Sequence, residues 1–497
     1  MTLRAAGSAI PLGLGLAASQ LAATVLVHQA NLDLQQEMAA VLAAGYLPVP
    51  SPAVMDQLSR WSHALLGGVF FTLTGGSLTV LGAAASLKLA RHLAWPTAGQ
   101  VGLLLFLALL LTAFLNHRGI SPGPTLYVWS ILAAVAVGAR VAAKAPGAPG
   151  TPRSRIWPVA GPLMLLAAVW LGRLDGDLFV DIRDRLLLSN PLGAGIAEFY
   201  YDYNLLAVQA MAPMRHRTVI GVDLGPMRDE PRTRRLADVL RRVDLLNVAG
   251  RAGASIVVRP EGELLRWQDP SGRGLTVGRA EVLERPGAVL ERFSRQVDTR
   301  EPFRLLTLAG ILLGFPILLY LLVFGGVEAA TALFLGPRAV WAAAAVCLAL
   351  GGALFYPVAT APGAGCGRDT DPLLWSQGGS AARVSLLRQA ARQGTDPLAY
   401  PRAGELAHSP RLVERYWFAR ALGGARSPRA FALAAEMTGD ESPMVTCQAC
   451  FALGEMGRVE AIPLLLAFMR HGNHWYTQRY AYDALRKLGW SQPASSR

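Results

Sequence analysis

The sequence predicts a mainly α protein: a polytopic transmembrane helix bundle with an inserted small α+β soluble domain and a C-terminal α-solenoid of short repeats. Three observations carry that expectation. Hydrophobic residues make up 52% of the chain and charged residues 16%, with mean hydropathy +0.33, a balance that suits an integral membrane protein. The apolar residues gather into segments of about twenty, the length that crosses a hydrocarbon core. The last quarter, 381–490, repeats itself from Ala421 to Ala452 to Ala484, a spacing in the range of stacked helix pairs.

In chain order, residues 7–28 come first, preceded by Arg4. The run is long and no small-x-small cleavage site follows it, so it reads as an uncleaved anchor rather than a signal peptide. Residues 31–61 form a linker with an amphipathic piece (Leu32, Met38, Val41, Leu42) and a turn-rich Pro48-Val-Pro-Ser-Pro52, expected to lie at the membrane surface. Further apolar segments fall at 63–87, 98–116, 125–143 and 157–172, which completes a five-helix bundle over 1–172. Two more, at 304–325 and 338–357, bring the expected count to about seven. Gly67, Gly68, Gly75, Gly76 and Gly82 on the second segment point either to close helix–helix contact or to a general richness in small residues. Basic residues mark alternate short loops: Arg4, then Lys88 and Arg91, then Arg140, Lys144, Arg153 and Arg155, then Arg338. That bias places the N-terminus in the cytoplasm and both soluble regions outside. A miscount by one would return the repeat array to the cytoplasm.

Residues 173–303 are polar and read as a small extracytoplasmic α+β domain. One helix carries Phe179, Ile182 and Leu186 and breaks at Ser189-Asn190-Pro191; a second carries Phe199, Tyr200, Tyr201 and Tyr203. Strand-like runs follow at 218–222, 255–259, 263–268 and 275–277, with turns at Glu261-Gly262 and Asp269-Pro270-Ser271-Gly272. A helix begins near Pro231 and buries Leu236, Val239, Leu240 and Val243, with Arg234, Arg235, Arg241 and Arg242 on its other side. Residues 358–380 are a linker to the repeats.

The fullest repeat runs Val445-Thr-Cys-Gln-Ala-Cys-Phe-Ala-Leu-Gly454-Glu-Met-Gly457-Arg-Val-Glu-Ala-Ile-Pro463-Leu-Leu-Leu. Ala449, Ala452 and Leu453 offer a small apolar face, Gly454 and Gly457 end the helix, and Pro463 sits just inside the next. Leu464, Leu465 and Phe468 supply the second apolar stripe. One such pair cannot bury both stripes, so stacking completes the core. Related copies begin at Tyr416 and Tyr480. This stretch resembles the HEAT-repeat family in the short form named after phycobilisome lyases. The close, from His474 to Trp490, is similar to the tails of uncharacterised bacterial HEAT-repeat membrane proteins. The resemblance covers the C-terminal quarter and implies binding rather than chemistry.

The formal charge of +13 is nearly all arginine, with lysine only at 88, 144 and 487, and no basic-aromatic stripe accompanies it, so no nucleic-acid partner is expected. Four cysteines are too few for a disulfide framework. Cys447-Gln-Ala-Cys450 with His471-Gly-Asn-His474 is the one cluster of metal-ligand types. The cysteines fall on a predicted helix, where they pack as small hydrophobes, so no metal and no cofactor are expected. Asp181 and Asp184 with Arg183 and Arg185 read as a solvated, salt-bridged helix face in preference to an acid/base group, and Tyr200, Tyr201 and Tyr203 as interfacial anchors in preference to a ligand platform. No P-loop, GxSxG elbow, HExxH or dinucleotide fingerprint is present, and no catalytic residue is assigned. Trp417, Trp475, Tyr476 and Tyr480 are the candidate partner-binding anchors of the array.

The expected function is a membrane-anchored scaffold of the bacterial inner membrane that holds a protein partner through its repeats, with the bilayer as its other partner. A subunit of an envelope transport or polymer-export system is the first alternative. An envelope enzyme using the 173–303 domain is the second.

Overall fold

The computed structural model describes residues 3–144, 156–173, 176–227, 232–250, 252–360, 375 and 378–493. The chain divides into two compact units. The first takes 1–27, 64–182 and 299–361; the second takes 28–63, 183–298 and 362–497.

The first unit is all helix. Among the described residues, five stretches are long and apolar enough to cross a membrane: Ala9–Ala43, Trp61–His92, Thr97–Asn116, Pro122–Lys144 and Glu301–Ala359. A shorter apolar helix lies at Trp157–Leu171. The Glu301–Ala359 stretch is broken by a 3-10 turn at Gly336–Arg338, leaving helices Phe315–Leu335 and Ala339–Ala359 of 21 residues each. Of the loop charges, Arg153 and Arg155 lie outside the described residues.

Two π-helical turns, Thr72–Gly76 and Gly310–Gly314, interrupt apolar helices and pack against each other. Glycine allows the approach: a Cβ on Gly310 would lie 2.2 Å from the Thr74 carbonyl carbon, and one on Gly76 2.0 Å from Ser19 Oγ. Gly82 faces open space instead, so the small-residue stripe is a contact along only part of its length. Beside it, the buried Tyr127 hydroxyl donates to the Phe71 carbonyl (2.9 Å) and shares a hydrogen bond with Ser19 Oγ (2.8 Å).

The second unit combines a sheet, an arm and the repeat array. The sheet has order β2-β1-β3-β4-β5, with β1 Ile220–Asp223, β2 Leu245–Asn247, β3 Ile256–Glu261, β4 Leu264–Gln268 and β5 Gly274–Gly278. β1 pairs in parallel with β2 and β3, whereas β3, β4 and β5 run antiparallel. The Thr233–Arg241 helix connects β1 to β2 and buries Leu236 and Leu240 against Ile220, Val222 and Leu245. On the same core sits Pro286–Val297, through Val289 and Phe293, with Trp267 edge-on to Phe293 at 5.9 Å. The four strand-like runs are strands within two residues of their expected ends. β2 is the strand the sequence hides, because three residues at the end of a helical pattern leave no alternation to read. Pro231 lies outside the described residues.

The array comprises α1 (Ser380–Gln393), α2 (Leu412–Ala421), α3 (Pro428–Met437), α4 (Pro443–Met456), α5 (Ile462–His471) and α6 (Trp475–Lys487). α1, α2, α4 and α6 stack in a row, α3 packs on α4, and α5 packs on α6. Gly457, at φ 68°, ends α4 in the left-handed region as expected. Gly454 acts differently. A Cβ there would lie 2.9 Å from Ala484 Cα, so this glycine sets how closely α4 and α6 approach. Most of the 358–380 linker lies outside the described residues; Trp375 stacks on Tyr400 with ring centroids 4.5 Å apart.

Glu414 shows how α1 and α2 are joined. Its carboxylate, almost fully buried, accepts from Ser409 Oγ (2.5 Å) and from Arg383 (2.7 Å). Burial alone would raise its pKa; the hydroxyls of Ser409 and Ser380 and the charge of Arg383 outweigh that and hold it below its ordinary 4.5. Its contribution to stability is therefore complete above pH 4.5 and is lost as pH falls through the lower folded-state value. Glu414→Gln should flatten that acid limb of a stability–pH curve measured by chemical denaturation.

The 31–61 stretch differs most from expectation. The first helix continues to Ala43, and Glu37 on it accepts from Arg217 (2.5 Å) and from the Gly221 amide (3.1 Å) of β1. Beyond it, the chain is fastened to the array. Gln478 on α6 accepts from the Ser51 amide (2.9 Å) and donates to Ser51 Oγ (2.6 Å), while Gln492 pairs with both backbone groups of Leu47. Gln478 is wholly buried. Gln478→Ala should cost about 1–3 kcal/mol, the penalty of an abandoned buried amide. Proteolysis around residues 44–60 should quicken with it.

Candidate functional site

The sequence directs attention to the aromatic residues of the array, and the structure places Trp417 and Tyr476 against this chain's own insert. Trp417 on α2 is buried and donates Nε1 to Asp184 (2.7 Å). Arg183 bonds Asp184 (2.8 Å), donates to the Tyr416 hydroxyl (2.8 Å) and lies 4.4 Å from the centre of that ring. Arg388 of α1 approaches the same carboxylate at 3.8 Å. Asp184 is thus neither a solvated surface acid nor a free acid/base group: it is a buried acceptor for Arg183 and an indole, with the Arg388 charge close by. The expectation of a solvated helix face fails here because Arg183 and Asp184 sit in the π-helical turn Arg183–Leu187, which turns both toward the array. Asp181 is also buried.

Tyr201 packs edge-on against Tyr476 (5.2 Å), and Tyr476 against Tyr480 (5.2 Å). Burial pushes the Tyr201 and Tyr476 hydroxyls well above the ordinary tyrosine range, so both stay protonated at neutral pH. Trp475 is buried, whereas Tyr476 and Tyr480 are half-buried. The tyrosines of the insert therefore pack with the array and with His63, which Tyr203 meets at 5.4 Å.

The four residues of metal-ligand type do not gather. Cys447 and Cys450 are fully buried in α4; burial raises the Cys450 thiol to about 12 and holds Cys447 well above its usual value. Both are packing groups with the thiolate suppressed. His471 ends α5 exposed, while His474 caps α6 and faces Asp202 at 3.3 Å. Among the described residues no three metal-binding side chains cluster.

One recess remains at this end of the array, a cavity of about 420 Å³ whose walls include His63, Asp202, Asp440, Glu441, His474 and Trp475. Asp440 and Glu441 both hold Arg415 (2.8 and 3.2 Å), and Glu441 is otherwise open to solvent. His63 Nδ1 and Trp475 Nε1 are buried with no hydrogen-bond partner. The recess therefore presents carboxylates at its walls and ring nitrogens within. Sequence reasoning missed it because its residues come from three stretches of chain; the one local sign is His474 beside Trp475.

Comparison with known families matches residues 401–486 to HEAT repeats. The C-terminal region of this chain thus contains a HEAT-repeat element. Neither curated proteins nor solved structures give a match.

The Asp184 cluster yields a direct test. Asp184→Ala leaves Trp417 Nε1 and Arg183 without their buried acceptor and should destabilise the second unit by about 3–5 kcal/mol. Chemical denaturation followed by tryptophan fluorescence measures it.

Proposed function

We propose that this protein is a membrane-anchored scaffold of the bacterial envelope whose HEAT-repeat array, of the short-repeat kind, binds a protein partner. The HEAT match over 401–486 carries the reading, because such repeats serve chiefly as interaction surfaces. The aromatic residues along the row α1, α2, α4 and α6 are engaged by Asp184, Arg183 and Tyr201 of the same chain. A partner would therefore use the outer faces of α3 and α5 and the acidic recess, where a basic side chain could meet Asp202 and Glu441.

Parity supports the proposed membrane arrangement. Residues 28–63, 183–298 and 362–497 pack into one compact unit, so they share one side of any membrane the chain crosses. An even number of crossings must then lie between each pair. Counting Trp157–Leu171 as a crossing gives four between the first two pieces. Counting Phe315–Leu335 and Ala339–Ala359 separately gives two between the others. With the first apolar segment this makes seven. Lys88, Arg91, Arg140 and Lys144 would then lie together on the opposite side, and their charge supports a cytoplasmic assignment there and a periplasmic one for the second unit. Single cysteines replacing Arg60, Arg292 and Arg426, with Cys366 changed to Ser, should all react with a membrane-impermeant maleimide in spheroplasts. Labels on different sides would overturn the arrangement.

For the function itself, purification of the full chain in detergent should bring down one protein in stoichiometric amount, and Asp202→Arg with Glu441→Arg should release it. A second reading, a transport subunit, draws on the packed π turns Thr72–Gly76 and Gly310–Gly314, since such turns concentrate at functional sites. Solute flux through liposomes holding the purified protein alone would favour it over the scaffold.

A further inference from the structure

The second unit holds another cavity, of about 380 Å³, and its walls are rich in arginine. Helical spacing makes half of it: Arg479, Tyr482, Asp483 and Arg486 fall on one face of α6. The other half comes from Arg215, His216, Arg217 and Thr218 ahead of β1, with Asp244 just ahead of β2. Asp244 holds the two halves together. Held in the left-handed region at φ 60°, it accepts from the Tyr482 hydroxyl (2.5 Å) and lies 3.2 Å from Arg486.

The charges in this wall do not balance. Four guanidiniums face two carboxylates, Asp244 and Asp483. Arg486 is engaged by Asp244 and by the Arg242 carbonyl. Arg217 is fixed by Glu37 (2.5 Å) and Ser255 Oγ (3.3 Å), yet its Nε is buried with no hydrogen-bond partner. Arg215 spends one nitrogen on His216 (3.0 Å). Arg479 makes no hydrogen bond among the described residues, and its charge acts on Asp483 one turn further along α6. Three arginines on two elements thus retain unused N–H groups around one cavity.

We propose that this cavity binds a phosphate-class dianion, free or as an exposed phosphomonoester. A guanidinium fork matches the edge of a phosphate, and donors on α6 and on the loop before β1 suit a tetrahedral anion better than a planar carboxylate. The site lies apart from the acidic recess and does not depend on the scaffold reading. Bound there, the anion would tie the last repeat to the sheet, adding a charged link to the one that Asp244 makes.

The test uses the full-length protein in phosphatidylcholine nanodiscs, titrated with inorganic phosphate against chloride at constant ionic strength. Phosphate should raise the melting temperature saturably. Arg215→Ala and Arg479→Ala should each weaken the apparent affinity at least ~10-fold, the scale of one charge-assisted hydrogen bond. Arg479→Lys should restore part of it, and Arg470→Ala, on α5, should leave it unchanged. The proposal fails if phosphate produces no saturable shift, or if the Arg215→Ala, Arg479→Ala double variant responds like the parent. Nanodiscs doped with phosphatidate separate the two sources. Weaker phosphate binding there would identify a lipid headgroup as occupant, and unchanged binding a soluble phosphate.

Discussion

Three stretches of chain, separated by apolar helices, must meet before the second unit exists, and buried polar side chains decide how they meet. Glu37 reaches from the arm to the sheet, Asp184 from the insert to α2, Asp244 from the sheet to α6, and Gln478 from α6 back to the arm. Each is a polar group, buried or, for Asp244, half-buried, whose removal from water is tolerated only when its hydrogen bonds are made. Apolar contact alone would permit many ways of pressing a sheet against a row of helices. These bonds have directions, so they select one.

The same constraint explains the way the array is used. α4 is buried on nearly every side, from Met444 through Leu453, which is unusual for a helix in an open solenoid with a solvated face. It is enclosed by α2, α3 and α6, which all pack on it, while the insert meets its neighbours, Tyr201 against Tyr476 of α6 and Arg183 against Tyr416 of α2. The aromatic residues that make an attractive docking platform are, in this chain, already docked. What is left for another protein is the outer layer and the recess beside Trp475.

Much of this architecture could be read from the residues. Hydropathy marked the apolar helices, the period from Ala421 to Ala452 to Ala484 marked the repeats, and turn residues such as Glu261-Gly262 and Asp269-Pro270 marked the β3–β4–β5 meander. The local signals failed where long-range packing overrules them. β2 is a strand because β1 offers it a parallel partner, and Asp184 is buried because Trp417 and two arginines wait for it. Gly454 looked like a helix stop, but α4 continues past it because Ala484 needs the space. The recess and the arginine cavity are assembled from pieces hundreds of residues apart, a relation no window along the chain contains.

Gln492, which clasps the backbone of Leu47 and donates to the Tyr482 hydroxyl, has a bearing on biosynthesis. Leu47 leaves the ribosome long before Gln492 does, and the apolar helices of the first unit are made in the interval. Until then the arm and the exposed rim of the sheet have nothing to close upon. The second unit thus cannot mature piecemeal behind the growing chain, and a chaperone that shields its apolar surfaces during synthesis would be needed longest here.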